Sequence, residues 1–247
     1  MKVAMMQPTF LPWLGYFELI SKADKFIFLD DFQLVYLSYH RRNRLFINKG
    51  IVDWYSTSVE KGRDGLKLLN KTILNPNNDW KQKLCRRMDM NYKKTPFYKT
   101  YGEALKEIIL ANHENLAVQN ICIIKYLCSV FKYKVEFACS SDNKYDTARS
   151  ERNLDMLRYY GADVYLSARG SFDYMKDEEL FPVDDIEVLF QNFECKPYPQ
   201  QSSIDGEFYP YLSTVDALFN IGAEETKRLI DNGTAKWDTW EDMIRSN

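Results

Sequence analysis

Histidine and paired cysteines are scarce in this chain, and their scarcity limits the chemistry that it can perform. Only two histidines are present, so a histidine-based mechanism has few candidates. The five cysteines form no CxxC pair and have no histidine at metal-ligand spacing, which argues against zinc and predicts no metal site. They are interpreted as reduced, mostly buried thiols of a cytoplasmic protein: Cys85, Cys122, Cys128, Cys139 and Cys195.

Long apolar runs and an excess of positive charge are also missing. No apolar run approaches the roughly eighteen residues that a membrane span needs, and Gln7-Pro8 ends the first run too early for a secretory signal. The net charge of −2 argues against general nucleic-acid binding, which uses a strongly basic face. We therefore expect a cytoplasmic protein that neither inserts into a membrane nor binds nucleic acid. Its oligomeric state stays open, and a homo-oligomer is compatible with the sequence.

The first fifty residues carry the clearest structural pattern. An apolar run, Lys2 to Met6, leads into a segment with two prolines and a glycine, which fixes a rigid and bent path. Apolar residues at helical spacing follow, and a second apolar run, Lys25 to Leu29, ends at Asp30-Asp31. This order predicts a βαβ unit, in which ligands bind beyond the carboxyl ends of the strands. A polar loop, His40 to Arg44, is expected next.

The remainder of the chain predicts a hairpin, a block of helices and then further strands and helices. The hairpin is expected to turn at Lys49-Gly50, and the segment 61–65 is interpreted as a surface loop because it lacks Walker-loop spacing. Asn75 to Asp79 is a stop-and-cap signal before three helices. We predict one α/β domain over residues 1–247, with a Rossmann-like, mostly parallel sheet and a helical insertion at about 79–132.

Three residues near the second strand are candidates for acid–base chemistry. Asp30 and Asp31 end that strand, where carboxylates commonly bind a sugar hydroxyl, a metal or an amine, although either could instead cap a turn. His40 neighbours three arginines and could accept the proton of an attacking amine, or it could be a surface histidine in a polar turn. The adjacent cations are expected to lower the pKa of His40, which suits a neutral base.

Polar and aromatic residues at the predicted strand ends and in proline-stiffened segments are candidates for substrate binding. Arg44 and Arg169 are expected to bind phosphate, with Asn43 and Ser167 as hydrogen-bond partners. Further side chains are expected to reach the same cleft, either through hydrogen bonds or by stacking an aromatic ring on a base or a sugar. These further candidates are Gln7, Trp13, Tyr16, Gln33, Tyr198 and Gln200.

Several long motifs resemble those of the WbqC-like proteins. Gln7 to Tyr16, Leu29 to Gln33 and Arg42 to Arg44 are similar to the opening signature of that family. Further matches follow in order: Tyr165 to Gly170 with Tyr174, Pro197 to Gln200, and Leu212-Ser213 with Asp216 to Gly222. The resemblance implies a role in bacterial surface-polysaccharide biosynthesis, that of O-antigen and lipopolysaccharide. It also implies transfer of glycine or another acyl group to an amino sugar.

Three functions are compatible with these observations. The first is an N-acyl or aminoacyl transferase, in which the amine of a nucleotide-linked amino sugar attacks an acyl-CoA or another activated acyl donor directly. The second is a non-catalytic module of the same pathway that binds a nucleotide sugar. The third is a divergent nucleotidylyltransferase, because the opening order of elements is similar to that superfamily. Those enzymes carry His-x-Gly-His at this turn, however, and Leu14-Gly15-Tyr16 contains no histidine.

Overall fold

The computed structural model describes residues 1–60, 67–77 and 79–246, so the loop predicted at 61–65 lies outside the described residues. Seven strands occur within these ranges: β1 (Lys2–Met6), β2 (Lys25–Phe28), β3 (Arg42–Asn48), β4 (Ile51–Ser56), β5 (Glu136–Cys139), β6 (Val164–Ala168) and β7 (Glu187–Gln191). Eight α-helices accompany them: α1 (Leu14–Lys22), α2 (Trp80–Tyr92), α3 (Tyr98–Leu110), α4 (Leu116–Val130), α5 (Arg149–Tyr159), α6 (Phe172–Asp177), α7 (Thr214–Asp231) and α8 (Trp240–Ser246).

Five strands form one parallel sheet in the order β5-β2-β1-β6-β7. From the central β1 the chain proceeds outward through β2 to β5, and it then returns to β6 and β7 on the other side. The direction of winding therefore reverses between β1 and β6, which is where open α/β sheets bind ligands. The predicted Rossmann-like, mostly parallel sheet with inserted helices is confirmed.

Both faces of the sheet are covered, because neighbouring residues of β1 enter different hydrophobic clusters. Ala4 packs in a cluster that includes α1, α2, α3, α4 and α7, whereas Val3 and Met5 pack in a cluster with α5, α6 and α8. Burial on both faces explains why the strands appear in the sequence as short apolar runs without polar alternation. No helix among the described residues has both the length and the apolar character that crossing a bilayer requires.

The three helices predicted after the hairpin are present as α2, α3 and α4. α4 begins after Asn115, whose side-chain oxygen accepts a hydrogen bond from the backbone nitrogen of Val118 at 2.9 Å. α2 begins at Trp80, as predicted. The Asp79 side chain makes no capping hydrogen bond, however, and pairs with Lys83 at 2.7 Å instead.

Two of the glycines at which the backbone enters the left-handed region mark a turn and a helix break. Gly50 has a φ of 70° and turns the β3–β4 hairpin, and Gly222 has a φ of 78° and interrupts α7. A Cβ atom at Gly222 would also lie 2.8 Å from the ring of Phe97. The predicted hairpin turn and the predicted break between the last two helices are both confirmed.

A buried carboxylate joins α1 to distant parts of the chain. The carboxylate of Glu18 is fully buried and accepts hydrogen bonds from the Gln191 side-chain nitrogen at 2.7 Å and from the Thr234 backbone nitrogen at 2.7 Å. The hydroxyl of Thr234 donates a third at 2.5 Å. These donors balance the cost of removing a carboxylate from water.

The predicted polar loop His40 to Arg44 is wrong in its second half. β3 already begins at Arg42, because Arg42 pairs with Ser56 and Asn43 pairs with Tyr55 across the hairpin. The polar Asn43 is tolerated inside a strand since its buried side chain has hydrogen-bond partners. The short helices α6 and α8 were not predicted. The ring of Trp240 in α8 packs against the ring of Phe172 in α6.

Candidate functional site

A cavity of about 400 Å³ lies at the carboxyl ends of β1 and β6, where the winding of the sheet reverses. We call it the switch-point cavity. Its walls come from the ends of β1, β2 and β6 and from α5 and α6. The residues that line it are Met5, Met6, Gln7, Leu29, Phe32, Arg149, Asn153, Tyr165, Ser167, Ala168, Gly170, Ser171, Tyr174 and Glu178.

The inner wall of the switch-point cavity combines satisfied and unsatisfied polar groups. The hydroxyl oxygens of Ser167 and Ser171 lie 2.5 Å apart, and the Ser171 hydroxyl also bonds the carbonyl of Ala168 at 2.7 Å. The Asn153 residue is 5% exposed, yet its side-chain oxygen has no hydrogen-bond partner among the described residues. An unpaired buried acceptor is costly, so a ligand that donates a hydrogen bond to Asn153 would gain stability there.

The outer wall carries one carboxylate and one guanidinium. Glu178 follows α6, and its carboxylate accepts a hydrogen bond from the backbone nitrogen of Ser150 at 2.9 Å. Hydrogen bonding from Ser150 holds the pKa of Glu178 below its ordinary value, so this carboxylate is ionised at neutral pH. The guanidinium of Arg149 lies 3.6 Å from Glu178, and its side chain is 81% exposed. The Arg149 guanidinium is therefore accessible to a ligand.

The predicted catalytic residues Asp30 and Asp31 do not line the switch-point cavity. Asp30 accepts hydrogen bonds from the Ser141 hydroxyl at 2.7 Å and the Ser141 backbone nitrogen at 3.1 Å. Asp31 accepts one from the Ser140 hydroxyl at 2.5 Å and pairs with Arg152 at 2.6 Å. These contacts join the end of β2 to the turn after β5, so both carboxylates have partners within the protein.

The third predicted catalytic residue, His40, is buried. Its Nδ1 accepts a hydrogen bond from the backbone nitrogen of Val35 at 3.3 Å, and its carbonyl accepts one from the side chain of Asn120 at 2.9 Å. Burial lowers the pKa of His40 to about 4. The direction agrees with the prediction, but the cause is removal from water and not the neighbouring cations. His40 is not among the residues that line the switch-point cavity.

Two predicted phosphate-site residues support the proline-rich segment before α1. The side-chain nitrogen of Asn43 donates hydrogen bonds to the carbonyls of Leu11 at 2.7 Å and Phe10 at 3.3 Å. Leu11 has a φ of 45°, which is unfavourable for a residue with a branched side chain. Arg44 donates to the carbonyl of Pro210 at 3.1 Å. Asn43 therefore holds a strained turn, and neither residue lines the switch-point cavity.

The other predicted binding residues are spread over the molecule. Gln7 and Ser167 line the switch-point cavity, as the prediction that strand ends form one cleft requires. Trp13 and Arg169 line a separate cavity of about 240 Å³, and Arg169 forms an ion pair with Asp238.

Tyr16 is buried and donates a hydrogen bond to the Gln7 carbonyl at 3.2 Å. Gln33 is exposed and pairs through its backbone with Leu68. Both positions thus contribute to the structure around the strand ends, and neither side chain lines the switch-point cavity.

Tyr198 and Gln200 line a third cavity, of about 440 Å³, and bind a buried carboxylate behind it. Asp216, at the start of α7, accepts hydrogen bonds from the Tyr92 hydroxyl at 2.8 Å, the Tyr198 hydroxyl at 2.8 Å and the Gln200 side-chain nitrogen at 3.0 Å. Burial raises the pKa of Asp216 to about 6. We call these four residues the Asp216 network.

Of the residues that line the switch-point cavity, only Gln7 and Ser167 were predicted as site residues, and those missed include Arg149, Asn153, Tyr174 and Glu178. Asn153 lies within α5, whereas Arg149 opens that helix with a φ of 56°, so regular helical spacing does not relate the two side chains. Tyr174 and Glu178 lie on or beside the unpredicted α6, so no sequence signal placed them near β1.

The described residues contain no group of three or more His, Cys, Asp or Glu side chains arranged to hold a metal ion. The candidate site is thus defined by hydrogen-bonding groups, one guanidinium and one carboxylate.

Comparison with known proteins agrees with the motifs. The model of the WbqC-like protein family matches residues 7–228, which include every residue of the switch-point cavity except Met5 and Met6. The uncharacterized protein Rv1507c of Mycobacterium tuberculosis (strain ATCC 25618 / H37Rv) is 30% identical over 225 residues, covering 90% of this chain and 95% of that protein. No solved structure matches the chain. The chain belongs to the WbqC-like protein family.

Proposed function

We propose that the protein binds a nucleotide-linked amino sugar in the switch-point cavity and is an N-acyl or aminoacyl transferase of surface-polysaccharide biosynthesis. The observation that carries the proposal is the cavity at the reversal of the sheet, with Gln7, Ser167 and Asn153 in its wall and Arg149 at its rim. Its volume of about 400 Å³ lies within the common range of small-molecule sites, roughly 300–1,000 Å³.

The transfer chemistry requires an unprotonated amine close to an activated acyl group. As the amine attacks the acyl carbon, the new C–N bond forms, the thioester C–S bond breaks, and the amine loses a proton. Glu178 is the carboxylate that lines the cavity, and it is ionised at neutral pH, so it could accept that proton. The catalytic roles of Asp30, Asp31 and His40 remain predictions, and none of these three residues lines the switch-point cavity.

A non-catalytic module that binds the same nucleotide sugar is the second candidate. It is favoured by the positions of Asp30 and Asp31, because both carboxylates bind other residues of the chain and neither lines the switch-point cavity. The two candidates share the ligand and differ in turnover, so one set of measurements separates them.

The test is calorimetric binding of UDP- and dTDP-linked amino sugars, acetyl-CoA and ATP, followed by an assay for N-acylation. Arg149→Ala is expected to weaken binding of the amino-sugar nucleotide about tenfold, the equivalent of one charge-assisted hydrogen bond to phosphate. Arg158→Ala is the matched control, because Arg158 lies on the same helix and pairs with Asp185 outside the cavity.

Three results would change the proposal. Equal weakening by Arg149→Ala and Arg158→Ala would place the ligand outside the switch-point cavity. Tight binding without N-acylation from any donor would favour the non-catalytic binding module. Binding of ATP alone, with release of pyrophosphate, would favour the nucleotidylyltransferase.

A further inference from the structure

We infer that the carboxylate of Glu178 occupies the position of a ligand phosphate at the N-terminus of α5, and that a sugar phosphate displaces it when it binds. The inference rests on the proposed function, since it concerns the same cavity, and it adds the orientation of the ligand and an internal competitor for its anionic group.

The first part of the argument is the position of Glu178. α5 has eleven residues, and the first backbone N–H groups of such a helix have no partners within it, which gives its N-terminus a partial positive charge. Glu178 accepts one of these N–H groups, that of Ser150, at 2.9 Å and lies 3.6 Å from the Arg149 guanidinium. A helix N-terminus beside an arginine is a combination that binds phosphate in many proteins.

The second part is independent of the helix terminus. Asn153 lines the same cavity, is 5% exposed, and has a side-chain oxygen without a partner in the described part of the chain. Glu178 cannot satisfy this oxygen, because an ionised carboxylate has no hydrogen to donate. A donor from a ligand, such as a hydroxyl or an amine, would satisfy this oxygen.

Together, the backbone N–H of Ser150 and the side-chain oxygen of Asn153 define a class of ligand. Ser150 and Asn153 are three positions apart on α5, and residues at this spacing lie about 5–6 Å from each other between their Cβ atoms. A sugar phosphate has an anionic phosphoryl group and ring hydroxyl or amino groups separated by a similar distance. The phosphoryl group would take the place of the Glu178 carboxylate, and a ring substituent would donate to Asn153.

Displacement makes Glu178 a competitor of the ligand. While Glu178 holds the Ser150 nitrogen, a phosphate can bind only if the carboxylate moves away, and the repulsion between two anions lowers the affinity further. Removing the charge of Glu178 should therefore increase the affinity of a phosphate, whereas a purely structural Glu178 would not have this effect.

The experiment measures binding of glucosamine 1-phosphate and of inorganic pyrophosphate to the full chain by calorimetry at constant ionic strength. Glu178→Gln is expected to bind both probes about tenfold more tightly than the wild-type protein. Asp185→Asn is the matched control, since Asp185 pairs with Arg158 near the other end of α5, and it should leave both affinities within about twofold. Asn153→Ala should weaken the binding of glucosamine 1-phosphate and leave the affinity for pyrophosphate unchanged. Thermal unfolding verifies that each variant is folded.

The inference is overturned if Glu178→Gln gives no increase, if Asp185→Asn gives the same increase, or if neither probe binds any variant. Its failure differs from failure of the proposed function. Tighter binding of glucosamine 1-phosphate to Glu178→Gln, without binding of any nucleotide-linked sugar, would support the inference and contradict the proposed function. If the protein binds a nucleotide-linked sugar and Glu178→Gln does not change that affinity, the proposed function is supported and the inference is contradicted.

Discussion

The Asp216 network and the switch-point cavity are both polar clusters beside a hydrophobic core, and they differ in how far their hydrogen bonds are satisfied. Asp216 is completely buried, and each of its side-chain oxygens has at least one donor from Tyr92, Tyr198 or Gln200. In the cavity, Asn153 is almost as deeply buried, and its side-chain oxygen lacks a partner in the described residues. Polar residues whose bonds are complete stabilise the fold, whereas incomplete bonds indicate where a ligand can contribute.

The same contrast explains why the predicted catalytic residues and the residues of the cavity are different sets. Asp30, Asp31 and Asn43 are polar residues in motifs that resemble those of the family, and each one bonds another part of the same chain. Their polarity in the sequence is equally compatible with a structural and a catalytic role. Only the arrangement of their partners distinguishes the two.

The largest expected effect comes from removing the carboxylate of Asp216. Asp216→Ala leaves the hydroxyls of Tyr92 and Tyr198 and the amide of Gln200 without their acceptor in a buried site, and it should lower the free energy of unfolding by about 3–5 kcal/mol. Urea denaturation measures this loss. Asp53→Ala, at an exposed position of β4, is the control and should cost no more than about 0.5 kcal/mol. If Asp216→Ala lowers the free energy of unfolding no more than Asp53→Ala does, the Asp216 network does not stabilise the fold and the contrast with the switch-point cavity is wrong.

A smaller effect is expected from pH. Burial raises the pKa of Asp216 to about 6 in the folded protein, so between about pH 4 and pH 6 the folded state binds more protons at this site than the unfolded state. The stability that this site contributes is therefore complete below about pH 4 and is lost as the pH rises through 6. Urea denaturation of the wild-type protein and Asp216→Asn at pH 4.5 and pH 7 should show that the wild-type protein loses more stability relative to the variant at the higher pH. A parallel dependence in both proteins would contradict the prediction.

The smallest expected effect on stability, and one of opposite sign, comes from Asn153. Asn153→Leu replaces an unpaired buried amide by an apolar side chain of similar size, and it should leave the free energy of unfolding unchanged or raise it by about 1 kcal/mol. The same variant should lose affinity for the amino-sugar nucleotide. A loss of stability comparable with that of Asp216→Ala would show that Asn153 belongs to the structure and not to a binding site.

The fold could be predicted from the sequence because local patterns determine most of it. Short apolar runs predict strands that are buried on both faces, and the order of strands and helices predicts a parallel sheet. Gly50 and Gly222 mark a turn and a helix break at positions where a side chain would be strained. α6 was missed because it is six residues long, which is too short for a helical period to be visible in the sequence.

The candidate site could be predicted only in part. Gln7 and Ser167 were expected in one cleft because they follow parallel strands, and both line the switch-point cavity. Arg44 and His40 were assigned to the same edge from their neighbours in sequence, but Arg44 lies in β3, which pairs with β4 in a separate hairpin, and His40 lies just before β3. Whether a polar side chain such as Asp30 has a partner depends on residues more than a hundred positions away, which no local pattern specifies.

The buried Glu18 has a consequence for the order in which the chain can fold during synthesis. The β1-α1-β2 unit is synthesised before Thr234, whose donors complete the environment of Glu18 and which follows Glu18 by 216 residues. Until then, docking α1 in its final position would bury a carboxylate that lacks two of its hydrogen bonds, at a cost of several kcal/mol. We therefore expect the final packing of α1 to follow the synthesis of Thr234, so that an element early in the sequence is completed late.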